Sequence, residues 1–133
     1  MLALMGLFGN KEEKRAKEAA AQAESDRLLA LPIDELAVEI MPAFGPDGIN
    51  AKSGHRQGPT EVVSWLLPDA SVKYRQPILG PVIEALGVLE HADLLTRRAF
   101  GSKGQASTYH VTRLGETALA DGTIRQRLAT GSL

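Results

Sequence analysis

The side chains that could do chemistry in this chain are few and scattered. Its three histidines are His55, His91 and His110, and no two have the spacing that places paired ligands on one helix face. Cysteine is absent, which excludes disulfides, thiolate zinc sites and Cys nucleophiles. No Gly-x-Ser-x-Gly elbow presents a serine nucleophile. Asp47 and Asn50 lack the spacing of an EF-hand calcium loop. The stretch 101-GSKGQAST-108 is glycine-rich, but it lacks the Gly-Lys-Ser/Thr ending of a Walker A loop and does not open a helix. Its Gly-x-x-Gly joins two predicted strands, whereas the KH-domain loop joins two helices. The expectation is therefore no catalytic site, no metal and no cofactor. What remains is cationic chemistry. In 94-LLTRRAFGSKGQASTYHVTRLGETAL-119, Arg97, Arg98, Lys103 and Arg113 precede the first acid, Glu116. Cations on such a segment can meet backbone phosphates and release their counterions.

The elements that must position these cations follow from pattern. The chain has 133 residues, enough for one domain, and 44% of them are apolar, enough for a core. With three Phe, two Tyr and one Trp, that core is mostly aliphatic. Net charge is −1 but unevenly spread: residues 1–70 hold 7 Lys/Arg and 11 Asp/Glu, whereas residues 71–133 hold 8 and 5. The basic half is the one expected to face a polyanion.

Residues 11–31 have no Gly or Pro and read as a charged, Ala-rich helical arm, stopped by Pro32. A second helix is expected over Asp34–Phe44, with Leu36, Ala37, Ile40, Met41 and Phe44 inward and Pro42 bending or ending it. Residues 45–58 hold four Gly and read as a loop, with a short edge strand near Ile49. Pro59 suits the first turn of a third helix that carries Trp65 and ends at Pro68. A fourth is expected from about Pro77 to Ala92, irregular in its first turn because of Pro77 and Pro81. Strands over Leu94–Phe100 and Ala106–Val111 form a hairpin. Thr112 caps a last helix, with Leu114, Thr117, Ala118 and Ile124 inward and fraying towards the end.

The string 89-LEHADLLTRRAFGSKGQASTYHVTRLGETAL-119 resembles the C-terminal part of MarR- and PadR-type bacterial regulators. The matching features are Leu89-Glu90, Leu94-Leu95, the basic Arg97-Arg98, then Tyr109, Val111, Thr112, Gly115 and Leu119. Beyond residues 89–119 the resemblance extends to about 33–88 by element order alone, and the first thirty residues lie outside it. It implies an α+β fold: a mostly helical winged helix-turn-helix with a two-stranded wing. Glycine is usual in those families where this chain has Asp93, so positive φ is expected there.

The resemblance also implies a DNA-binding regulator that acts as a dimer on paired half-sites. Ser71, Lys73, Tyr74, Arg75 and Gln76 would approach the major groove and nearby backbone, while Arg97, Arg98 and Lys103 meet phosphates. The expected organisation is an arm over 1–31, a winged-helix domain over 32–122 and a tail over 123–133. The alternative is a winged-helix adaptor that binds a protein partner through the arm or the 45–58 loop. The apolar start, MLALMGLF, lacks a basic n-region and a cleavage site, so it is not expected to be a signal peptide. Met1 and Met5 both remain possible starts. No apolar run reaches the ~18 residues of a membrane span. A cytoplasmic protein without membrane insertion is the expectation.

Overall fold

The computed structural model describes residues 2–49, 57–100 and 106–131. The chain is mostly helical, with one two-stranded antiparallel sheet, an α+β architecture. In order, the elements are α1 (Leu2–Ala30), α2 (Ile33–Ile40), a 3-10 turn (Met41–Phe44), α3 (Pro59–Leu66), α4 (Val72–His91), β1 (Leu95–Phe100), β2 (Ala106–Val111), α5 (Arg113–Asp121) and α6 (Ile124–Gly131).

Helix α4 is the spine. Its Ile78, Val82, Ala85, Leu86 and Leu89 are fully buried, and α1, α2 and α3 pack around it. Each large aliphatic side chain buried this way stabilises the fold by about 1.5–3 kcal/mol at most. Helix α2 contributes Leu36, Ala37 and Ile40, and the 3-10 turn adds Met41 and Phe44. These are the five inward residues expected from the spacing. Pro42 changes the helix type, because it cannot donate the next α-helical bond and the chain tightens into the 3-10 turn.

Two ion-pair clusters tie the ends to α2. Arg27 of α1 donates to Glu39 at 2.7 Å and also bonds Glu24. Arg125 of α6 donates to Glu35 at 2.7 Å. Hydrogen bonds from Arg27 and Arg125 hold the carboxyls of Glu24 and Glu35, respectively, below the ordinary carboxylate value.

Several expectations need correction. Helix α4 starts at Val72, not near Pro77, because Ser71 opens it and the proline rings are accommodated inside. Ile49 is in a turn; among the described residues of this loop, Gln57 is strand-like and forms an isolated antiparallel bridge to Tyr109, while residues 50–56 lie outside the described residues. Residues 124–131, expected as part of a tail, form α6, whose Ile124 and Leu128 are buried. Gly122 does end α5, with φ 69, but only to turn the chain back onto α2. Thr117 is exposed rather than inward. Helix α1 extends back to Leu2, ahead of the Lys11 start expected.

Candidate nucleic-acid interface

The join between α4 and the hairpin is built by local hydrogen bonds. Helix α4 ends in a Schellman motif: Asp93 N–H returns to Glu90 O and Leu94 N–H to Leu89 O, each at 3.0 Å. Asp93 takes φ 63, a conformation that Asp tolerates better than most residues. The buried pair Leu89 and Leu94 supplies the apolar contact of that motif. The Leu94 carbonyl then accepts from Thr112 N at 3.1 Å, while Thr112 Oγ1 donates to Asp93 O at 2.6 Å and lies 3.2 Å from Leu94 O. Thr112 Oγ1 in turn accepts from Gly115 N at 2.9 Å, capping α5. The adjacent carbonyls of Asp93 and Leu94 thus fasten the base of the hairpin to α5.

In the hairpin, Leu95 pairs with Val111, Arg97 with Tyr109 and Arg98 with Thr108. Alternation places Arg97 on the face of Leu95 and Tyr109, and Arg98 on the opposite face with Thr96 and His110. The two arginines therefore do not form one patch. Arg97 Nε lies 3.4 Å from Glu90 at the end of α4. Arg98 is exposed and has no ion pair among the described residues. Lys103 falls outside the described residues. The free edge of β2 is met by Gln57, whose carbonyl accepts from Tyr109 N at 2.7 Å.

At the other end, α3 and α4 are consecutive helices joined by a short turn. Glu61 of α3 accepts from Gly58 N at 3.1 Å, one half of a capping box. Pro68 follows α3, and Ser71 opens α4 in an extended conformation without a side-chain cap bond. Arg75 locks the turn. Its guanidinium donates to Leu67 O at 2.9 Å, Pro68 O at 2.7 Å and Ser64 Oγ at 3.3 Å. It satisfies carbonyls that a helix end leaves without partners. Arg75 thus clasps α4 to α3, an engagement its sequence position did not announce.

Ser71, Lys73 and Gln76 are exposed around this front turn. Tyr74 is half-buried, its ring lies 5.5 Å from Lys73 Nζ, and its carbonyl accepts from Ser25 Oγ of α1 at 3.1 Å. The structure therefore brings Ser71, Lys73, Tyr74, Arg75 and Gln76 together, with Arg75 turned to its own chain. Arg97 is not with them. It stands by Glu90, and the helix from Arg75 to Glu90 spans about 22 Å at ~1.5 Å per residue. Two cations missed by sequence reasoning border the front turn. Lys14 and Lys17 of α1 line a crevice with Ser71 and Tyr74, beside the acids Glu18 and Asp69. No local pattern marks them, because the arm's charges balance and only the packing of α1 brings them there.

Among the described residues, no three His, Asp or Glu side chains are grouped to hold a metal ion. No described helix is long and apolar enough to cross a membrane. Comparison with family models, curated proteins and solved structures gives no match for this chain.

Proposed function

We propose that the chain is a winged helix-turn-helix protein that binds duplex DNA, acting as a bacterial-type transcriptional regulator and as a homodimer. The observation that carries this reading is the α3–α4 turn. Arg75 fixes it so that Ser71, Lys73 and Gln76 stand exposed at the opening of a 20-residue helix. The element order supports it, as does the Gln57–Tyr109 bridge, which lays a strand residue along the hairpin ahead of α3. In this reading Gln76 and Lys73 approach base edges and Ser71 meets the backbone. Arg98 and Lys103 hold phosphates further along. Dimerisation places two such turns on paired half-sites, with the exposed length of α1 as the contacting surface.

Fluorescence anisotropy on duplex DNA across a salt series tests this, with wild type beside Arg97→Ala/Arg98→Ala/Lys103→Ala. The log–log salt slope should fall by up to ~2 units in the variant, at ~0.9 for each phosphate held by Arg98 and Lys103. Absent binding at low salt, or an unchanged slope, removes the hairpin from the account.

A second reading, a protein-binding adaptor, is favoured by the outer face of α4. Past Gln76 that face offers exposed Pro77, Gly80 and Ile83, with Glu84 as its acid. Such a surface suits a protein partner better than a phosphate backbone. Partner capture that is lost with Ile83→Lys but unaffected by competing DNA would favour it.

A further inference from the structure

Helix α4 contains two prolines, Pro77 and Pro81, its sixth and tenth residues. Neither can donate the backbone bond to the residue four earlier, so Lys73 O and Pro77 O lose their helical partners. Gly80 lies between them, and a Cβ added there would touch nothing within 4 Å. Packing within the chain therefore gives no reason for glycine at that position. Over these one and a half turns the helix lacks two of its backbone bonds and is held to the core chiefly by Ile78, which is fully buried.

The two sides of that stretch are held by different means. The back half is set in the core by Val82, Ala85, Leu86 and Leu89, each 0% exposed. The front turn buries little: Val72 is 71% exposed, and Lys73 and Gln76 are exposed too. Polar bonds to neighbouring elements hold it instead. Arg75 binds it to the end of α3. Ser25, which is 2% exposed, donates to Tyr74 O and binds it to α1. Ahead of Ser25, residues 11–20 of α1 are exposed throughout, and a crevice of about 210 Å³ separates α1 from the turn near Ser71.

We propose that α4 is hinged across Pro77–Pro81 and that α1, through Ser25, sets the attitude of the front turn. Displacing the exposed arm pulls on Tyr74 and moves Lys73 and Gln76, while the core half of α4 stays in place. As a control on DNA contact this rests on the DNA-binding reading; as a mechanical coupling it stands without it.

Amide hydrogen exchange on the full chain tests the coupling without any DNA, by comparing peptides over 71–78 and 82–91. In wild type the front peptide should exchange at least ~10-fold faster than the back peptide, as a locally opening unit does. Ser25→Ala should speed the front peptide by about fivefold, the effect of one lost hydrogen bond, and leave the back peptide unchanged. Pro77→Ala/Pro81→Ala restores two donors and should slow the front peptide towards the back one. It should also blunt the effect of Ser25→Ala when the changes are combined. One common rate for both peptides in wild type overturns the hinge, as does a front peptide indifferent to the proline changes. A front peptide indifferent to Ser25→Ala, or both peptides shifting together, overturns the role of α1. Anisotropy on the same variants then decides its use. If exchange responds as expected while DNA affinity is the same in all variants, the hinge stands and its control of DNA contact is overturned.

Discussion

Gly115 offers the sharpest test of how the hairpin is joined to the body. A Cβ built there would clash with the carbonyl oxygen of Leu94 and would also lie 2.9 Å from Val111 Cγ2 and 3.0 Å from Met41 Cε. The methyl groups can shift; the carbonyl is backbone and is held by its bond from Thr112 N. Gly115→Ala must therefore push α5 off β1 or break those bonds. Overpacking of this kind costs about 1–3 kcal/mol, and a lost hydrogen bond adds about 1 kcal/mol. The expected loss is about 3 kcal/mol, a large share of the ~5–15 kcal/mol that holds a domain together. Urea unfolding followed by Trp65 fluorescence measures it. At ~2 kcal/mol/M the midpoint should fall by about 1.5 M with an unchanged slope. A midpoint within ~0.3 M of wild type would refute the tight joint between Gly115 and the Leu94 carbonyl.

Other expectations follow from single contacts. Arg75→Ala removes three hydrogen bonds from a charged donor and should destabilise by about 1.5–3 kcal/mol by urea unfolding, with a loss of DNA affinity beyond that of Lys73→Ala. Gly80→Ala should stabilise by up to ~1 kcal/mol, raising Tm by a few degrees in calorimetry, since the new methyl group meets nothing. The carboxyls of Glu24 and Glu35 have folded pKa values below the ordinary value. Their contribution is present above the unfolded carboxylate pKa, roughly pH 4.3, and is lost as pH falls through the lower folded values. Glu35→Gln/Glu24→Gln should lower stability near pH 7 and flatten the acid limb of the stability–pH profile, so that variant and wild type converge at low pH.

Much of the fold was legible because apolar periodicity and turn chemistry agreed. The stripe Leu36, Ala37, Ile40, Met41 and Phe44 is buried as spaced, Thr112 caps α5 through Gly115, and the hairpin pairs Leu95 with Val111. The start of α4 was misread because a proline signals a helix boundary locally. Here the buried back half of the helix outweighs two missing bonds. Helix α6 was missed because Gly122 ends one helix whether or not another follows, and the docking of Ile124 and Leu128 is a tertiary effect. In the candidate site, residue type alone made Arg75 a base reader and paired Arg97 with Arg98. The clasp on Leu67 and Pro68 and the strand alternation are visible only in three dimensions.

The central claim is that the front turn of α4 meets duplex DNA. An amide NMR titration of the protein with a short duplex at low salt tests it most directly. The account predicts shifts concentrated at residues 71–76, with a second group around Arg98, and little change at the buried back half of α4. Shifts confined to the outer face at Gly80–Glu84 or to the arm, or no shifts at all, would contradict it.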